Sequence, residues 1–352
     1  MTQPSPGIGN VLPNPTLIQM AMAYSRSRIL CAAARLGVAD ALGDGERTVN
    51  ELAAACQSHP GALHRLLRAL ASFGITEEVS PARFRLTALG TPLRKDAPQS
   101  AWPDVVFWAD LLADEWSHLT DCIRTGKPAR DVRNPACPSR WSQDPDASAV
   151  FRAVMGTAPA EDYIPIAQAC DLSSAHVVAD LGGGGGSLIL AALGLHPHLR
   201  GMLVDRPESI DAATPRFSSD ELKTRCTLIA ADLAQAVPPG ADVLILKHVL
   251  HGLQDEPAIA VLRNCRAVLA PNGRLLIVEF LLPPIVDRPD PALEGRLMSD
   301  LNMLAVTGGK ERTEREWQAI FEASGFILRR VVPVGAEYYM AGNVAVVEAQ
   351  PV

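Results

Sequence analysis

The stretch Val177–Ala192, VVADLGGGGGSLILAA, decides how this chain is read. An apolar run leads to Asp180, five glycines follow from Gly182 to Gly186, and Ser187 opens a second apolar segment. That order predicts a buried strand, a tight turn and a helix. Glycine is needed where the backbone turns sharply or approaches a ligand with no Cβ in the way. In an α/β protein such a turn is where a nucleotide-like ligand sits. A flexible linker would not be flanked on both sides by apolar runs of buried type.

Outward from this turn, strands are expected at 176–181, 201–205, 226–231, 241–246, 273–281, 326–333 and 342–349, and helices at 187–195, 208–214, 255–269 and 313–324. The alternation predicts an α/β domain over 171–352, a doubly wound, mostly parallel sheet of seven strands. Upstream the rhythm differs. Thr16–Leu42 is apolar at helical spacing, Thr48-Val49-Asn50-Glu51 is a capping-box pattern, and Pro60 opens a helix carrying Leu63, Leu66, Leu67 and Leu70. Ile75–Leu86 then alternates in part around Ser80-Pro81. Helix, helix and hairpin predict a winged-helix unit over 16–100, followed by a helical region over 101–170 with a surface connection at 126–147. Residues 1–15 are expected to be disordered.

A winged helix can read DNA, here with His64, Arg65 and Arg68, or it can serve as a structural or dimerisation module. The net charge of −7 and the missing basic run favour the second, and they argue against nucleic acid or an anionic membrane as partner. The seven cysteines are scattered with no C-x-x-C pair, so a disulfide framework or a zinc site is not expected, and reduced thiols in the cytoplasm fit better. The N-terminal MTQPSPGIGNVLPNP lacks the basic and apolar regions of a signal peptide. No apolar run is long enough to span a bilayer.

The first rival ligand is a nicotinamide dinucleotide, whose fingerprint is G-x-G-x-x-G. Starting from Gly182 and Gly184 the third glycine position is Ser187, and starting from Gly183 it is Leu188. What fits instead is an acid, Asp180, two residues before Gly182. It would repel a pyrophosphate but suits an ammonium group. S-adenosylmethionine carries an α-amino group and a sulfonium, and no phosphate. Asp205 closes the next strand, where an acid can accept both ribose hydroxyls. Asp232 closes the third, where a carboxylate can accept the adenine amino group beneath an apolar side chain. Acids at three successive strand ends favour S-adenosylmethionine.

The fourth strand runs into Lys247-His248-Val249-Leu250-His251, at the carboxyl edge where such sheets bind ligands. His248 is read as a packing residue and His251, just before a polar turn, as a proton acceptor. A phenol titrates near pH 10 and is a poor nucleophile at neutrality, whereas a histidine near 6.5 can take its proton during attack. The imidazolium then needs carboxylates. Glu279, closing a very apolar strand, and Glu311, in Gly309-Lys310-Glu311-Arg312, are the candidates.

Together DLGGGGGSL, MLVDRPE, IAADL, LILKHVLHGLQDE, LLIVEFLLP and MLAVTGGKERTEREW resemble the successive motifs of the small-molecule O-methyltransferases. These are the plant caffeic-acid-type and bacterial antibiotic and polyketide enzymes. The resemblance covers nearly the whole chain. It implies His251 as general base flanked by Glu279 and Glu311, and a cofactor site made by Gly182, Gly184, Asp205, Asp232, Leu233 and Lys247 beside Asp180. It further implies Phe151 and Met155 on a helix covering the pocket, Met298, Asn302 and Met303 near the acceptor, no metal, and a homodimer with interlocked N-terminal helices. The chain departs from the family where Gly252-Leu253 replaces the usual Asp-Trp, and Val306-Thr307 stands where plant enzymes often have His-Asn-Pro. The expected reaction is methylation of a phenolic or enolic hydroxyl of a small aromatic or polyketide-type metabolite. The alternatives are carbon or nitrogen methylation on the same scaffold, and a winged-helix regulator that senses a ligand.

Overall fold

A computed structural model describes residues 15–133, 144–156, 158–335 and 344–352. The disorder expected for 1–15 falls outside these except at its last residue, as do the middle of the 126–147 connection and the first two residues of the 342–349 strand. The chain divides into two compact units after Asp114. The change of rhythm near residue 170 lies within the second unit, where its helical segment gives way to the first sheet strand.

In the first unit the apolar stretch Thr16–Leu42 forms two helices, Pro15–Arg35 and Val38–Leu42, because Gly37 between them adopts a left-handed φ of 67°. The longer helix buries only Cys31, Ala33 and Ala34, while Leu17, Met20, Met22 and Tyr24 are each more than 60% exposed. Thr48 forms the expected capping box with Glu51 at the start of Val49–Ala55. Helix Pro60–Ser72 buries Leu63, Leu67 and Leu70, an i, i+4, i+7 stripe. Strands β1 (Arg47–Thr48), β2 (Thr76–Ser80) and β3 (Arg83–Leu86) pair antiparallel in the order β1-β3-β2 over the fully buried Phe84. His64 and Arg68 both reach Glu78 on β2, at 3.3 and 3.7 Å.

In the second unit β4 (Val177–Leu181), β5 (Arg200–Asp205), β6 (Cys226–Ala230), β7 (Val243–Lys247), β8 (Arg274–Glu279), β11 (Phe326–Pro333) and β12 (Ala345–Pro351) form one seven-stranded sheet in the order β11-β12-β8-β7-β4-β5-β6. Among the described strands β12 is antiparallel to both its neighbours, β11 and β8, and the other pairs are parallel. Helices cover both faces, so the central strands are apolar on both sides. Val178 packs into one core layer with Leu188, Ile189 and Leu193, and Ala179 and Leu181 into the other with Leu244, Leu262 and Phe321. Strand order reverses between β4 and β7, which opens a crevice at their carboxyl ends. The glycine turn leaves β4 there and the histidine turn leaves β7 beside it.

Three local features differ from the sequence expectations. Ala129–Arg133 is helical inside the expected connection, and Asp220–Arg225 forms a short helix capped by Ser219. The strand expected over 273–281 stops at Glu279. Leu281–Leu282 (β9) leaves the sheet and pairs in parallel with Arg312–Thr313 (β10), Arg312 opposite Leu281. This two-residue ladder carries Glu311 to the end of β8, 32 residues away from Glu279 in the chain.

Candidate active site

The glycine turn is built by sterics. Gly182, Gly184 and Gly186 have φ of 71°, 55° and 78°, a region that side chains other than glycine rarely adopt. A Cβ on Gly182 would lie 2.7 Å from Val249, so the turn packs directly on the segment between the two histidines. A Cβ on Gly183 would lie 2.6 Å from both the Asp180 carboxylate and Leu203. Thus Gly183 is required by packing rather than by backbone conformation. Arg216, which sequence reasoning missed, donates to the Gly185 carbonyl at 2.7 Å and to Ser187 Oγ at 2.9 Å, and so pins the turn at the start of helix Ser187–Leu195.

Asp180 is 1% exposed and no side chain donates to its carboxylate. Burial raises its pKa; Lys247 and the Ile189 N–H oppose this, Asp205 adds to it, and the value settles at about 7. A buried, half-neutralised carboxylate beneath a glycine cradle suits a ligand ammonium. Asp205, at the end of β5, accepts from the Gly184 N–H at 2.7 Å and the Arg206 N–H at 2.6 Å. Asp232 accepts from the Ala234 N–H at 3.0 Å just beyond β6, and the half-buried Leu233 follows it. Lys247 Nζ sits 5.2 Å from the centroid of the Tyr163 ring. The three acids and the glycine turn therefore share the carboxyl edge of adjacent strands, and these residues fit an adenosine-bearing cation.

Next to it lies a histidine–glutamate cluster. His251 Nδ1 is 2.8 Å from Glu311 Oε1 and 3.5 Å from Glu279 Oε2. The His251 backbone N–H donates to Glu279 Oε1 at 3.2 Å. Both carboxylates are essentially inaccessible, and the His251 side chain is 15% exposed. Burial pushes His251 down, but the charge of Glu279 and the hydrogen bond and charge of Glu311 together outweigh it, so its pKa is raised. Burial would lift Glu279, yet the charge of His251 and the hydrogen bond from His248 prevail and hold it at about 2. Glu311 goes the other way: burial dominates and raises it. A neutral His251 that donates its Nδ1–H to Glu311 would leave the lone pair of Nε2 open to a proton.

Several supporting residues were not anticipated. Ser299 Oγ donates to Glu311 Oε1 at 2.8 Å, and Asp300 Oδ1 accepts from the Glu311 N–H at 2.8 Å. Arg312, fully buried, donates to the carbonyls of Leu250 and Leu253 and to Asp255, at 2.8 to 3.0 Å, and lies 5.3 Å from the Trp317 ring centroid. It clamps both sides of the His251 turn. Only its place in a quoted motif could have flagged it. His248, expected simply to pack, also places Nδ1 at 3.1 Å from Glu279 Oε2. Among the described residues His248, His251 and Glu279 bring donor atoms within 4.8 Å of one another, close enough to hold a cation; their hydrogen bonds account for that closeness without one.

The residues expected near the acceptor are spread over two helices. Phe151, half-buried, and Met155, 54% exposed, lie on Pro145–Gly156, and the Met155 carbonyl comes within 3.9 Å of where a Gly184 Cβ would be. On Pro291–Val306, Asn302 Oδ1 accepts from Trp116 Nε1 at 3.0 Å, Met303 is half-buried and Met298 is largely exposed. The same helix supplies Ser299 and Asp300 to Glu311, which joins it to the histidine cluster.

A seven-stranded sheet with one reversed strand, a glycine turn at its switch point and an acid closing the next strand is the architecture of a class I methyltransferase. Residues 116–327 match the model of the O-methyltransferase domain and residues 18–96 that of the O-methyltransferase dimerisation domain, so the chain belongs to the O-methyltransferase family. It is 36% identical to the O-demethylpuromycin-O-methyltransferase of Streptomyces alboniger, over 96% of this chain and 89% of that one. It also superposes on the solved mitomycin 7-O-methyltransferase with a TM-score of 0.85, at 34% identity over 96% of this chain and 97% of that chain. An O-methyltransferase from neocarzinostatin biosynthesis, solved with S-adenosylmethionine and 2-hydroxy-5-methyl naphthoic acid, gives a TM-score of 0.78 at 29% identity over 93% and 96% of the two chains. The protein is an S-adenosylmethionine-dependent methyltransferase.

Proposed function

We propose that the enzyme methylates a phenolic or enolic hydroxyl of a small aromatic or polyketide-type metabolite, with His251 as general base. The observation that carries this is the 2.8 Å contact from His251 Nδ1 to a buried Glu311, with Glu279 on its other side. The oxygen acceptor is favoured over carbon or nitrogen by the relatives named above. S-adenosylmethionine supplies an electrophilic methyl group on a sulfonium. Gly182, Gly184 and Asp180 hold its amino-acid end, Asp205 its ribose, and Asp232 and Leu233 its adenine, with Lys247 at the edge of the site. His251 Nε2 takes the acceptor's proton as the oxygen attacks, and Glu279 and Glu311 stabilise the imidazolium. Phe151, Met155, Met298, Asn302 and Met303 shape the acceptor space. Incubation with S-adenosylmethionine and a panel of hydroxynaphthoates, followed by NMR of the transferred methyl, tests the reading. An O-methyl shift supports it, and an N- or C-methyl shift moves the reaction to another atom.

Transfer should depend on pH in a defined direction. The base works as neutral imidazole, and the two glutamates raise its pKa above 6.5. The rate should therefore climb with pH along a single-proton limb whose midpoint lies above 6.5. A midpoint at or below that value, or a rate that falls as pH rises, would contradict the assignment. Cofactor binding should also release protons. With its pKa raised to about 7, Asp180 is partly protonated near neutrality, and a bound ammonium would drive that proton off. Calorimetry of S-adenosylhomocysteine binding in buffers of different ionisation enthalpy should show that release in wild type and lose it in Asp180→Asn. Equal release in both would place the ammonium elsewhere.

The first unit is read as a winged-helix dimerisation module. Its support is the matched dimerisation model and the exposed Leu17, Met20, Met22 and Tyr24, apolar side chains on more than one side of one long helix, which suits packing against a second copy. Engagement of His64 and Arg68 with Glu78 weighs against a DNA-reading role. Cys31, Cys56, Cys122, Cys170, Cys226 and Cys265 are free and buried, which suits a reducing cytoplasmic setting.

A further inference from the structure

We propose that His248 is a positioning residue: it donates its Nδ1–H to Glu279 Oε2 and so fixes the carboxylate that faces His251. This rests on the reading of His251 as base.

The geometry begins with the backbone. His248 follows β7 directly and has a φ of 52°, a left-handed conformation uncommon outside glycine and asparagine. Its N–H is bonded to the Val278 carbonyl at 3.1 Å, so the residue is tied to β8 and cannot relax by drifting away from the sheet. That twisted backbone delivers the ring to a slot between His251, 5.1 Å between centroids, and Phe280, 4.8 Å. There Nδ1 meets Glu279 Oε2 at 3.1 Å. The other oxygen of the same carboxylate accepts the His251 backbone N–H. Glu279 is thereby held at both oxygens, one by each histidine.

Which atom carries the proton follows from the charges around the ring. His248 faces Lys247 at the end of β7, Glu279 on β8 and His251 on the turn, and Glu311 lies beyond His251. Burial first, and Lys247 next, push its pKa down to about 4, against the pull of Glu279. His248 is therefore neutral near pH 7, with one ring N–H to give. Glu279, held at about 2, is a carboxylate and can only accept. A contact of 3.1 Å between the two fixes the proton on His248 Nδ1.

This bond divides two tasks. Glu279 Oε2 also stands 3.5 Å from His251 Nδ1, the atom that Glu311 engages at 2.8 Å. Held by His248, Glu279 stabilises charge on His251 without displacing Glu311, which sets the ring's orientation. Remove the donor and a buried anion loses part of its stabilisation. The cluster of His251, Glu279 and Glu311 then takes up its first proton more readily, whichever atom receives it.

Histidine-selective NMR titration of the enzyme bound to S-adenosylhomocysteine, from pH 5.5 to 9, tests this without knowledge of the acceptor. In wild type the His248 ring should keep the neutral Nδ1–H tautomer throughout, while His251 titrates. In His248→Leu, which fills the space without a donor, the first protonation of the cluster should rise by about one unit, on the scale of a lost hydrogen bond to a charged group. His248→Asn should restore the wild-type midpoint, since asparagine tolerates the left-handed backbone and offers a side-chain N–H. If the leucine variant does not fold, His248→Ala serves as the donor-less form. An unshifted midpoint in the donor-less variant, or equal shifts in it and the asparagine variant, would overturn the proposal and leave His248 a packing residue. Failure of the base reading would show separately, as wild-type methyl transfer by a His251 variant.

Discussion

Replacement of His251 with alanine is expected to lower methyl transfer by about 10²–10⁴-fold while the affinity for S-adenosylhomocysteine is kept. The size follows from the chemistry: with a phenol near pH 10 and no positioned base, attack must wait for the rare ionised acceptor or for water. The selectivity follows from the layout. The cofactor-side acids lie at or just past the carboxyl ends of β4, β5 and β6, whereas His251 belongs to the turn after β7. The fold should survive the loss. Removal of the imidazole leaves Glu279 and Glu311 buried together, but burial already raises Glu311, so it can take a proton instead of remaining an uncompensated charge. Initial rates and calorimetric affinity measured on the same preparation check both halves. Transfer at the wild-type rate removes His251 from the mechanism; loss of cofactor binding makes it a structural residue instead.

How much of this was legible in the chain depends on how local each signal is. The glycine turn and the strand-end acids could be read because strand, turn and acid are contiguous: Asp180 lies two residues before Gly182, and Asp205 ends an apolar run. A parallel sheet then places all such ends on one edge. The pairing of His251 with Glu311 was harder, since 60 residues separate them and the contact depends on β9 and β10, a ladder too short for any periodicity to show. Ser299, Arg216 and Arg312 were missed for the same reason: each is an ordinary helix or loop residue until the fold supplies its partner. Gly183 shows the converse. It has no motif role and an unexceptional φ, and the need for it is visible only once Asp180 and Leu203 occupy the space its Cβ would take. His248 passed as a packing residue because sequence spacing says nothing about which oxygen of Glu279 each histidine takes.

Gly309→Ala is expected to cost about 10²-fold in transfer rate, with cofactor affinity retained, although the residue touches neither ligand in the proposed mechanism. A Cβ there would overlap the His251 carbonyl oxygen and lie 2.6 Å from the Gly252 carbonyl carbon and 2.7 Å from the Leu253 nitrogen. All three are backbone, so no rotamer change can relieve the clash. Nor can the two segments simply part. Lys310 N–H donates to that same His251 carbonyl at 2.9 Å, and Arg312 of the same segment holds the Leu250 and Leu253 carbonyls. The added methyl must therefore shift the His251 turn relative to Glu311 by roughly 1 Å, and misplacement of a catalytic group on that scale is enough for a loss of this size. Stability should fall by about 1–3 kcal/mol, the usual cost of overpacking. The glycine turn, pinned from outside the histidine segment by Arg216, should bind S-adenosylhomocysteine as before. Rates, calorimetric affinity and a thermal melt separate the outcomes. A variant with wild-type rate would show that the turn yields without moving the base, and one that loses cofactor affinity would show that the two halves of the crevice are not independent.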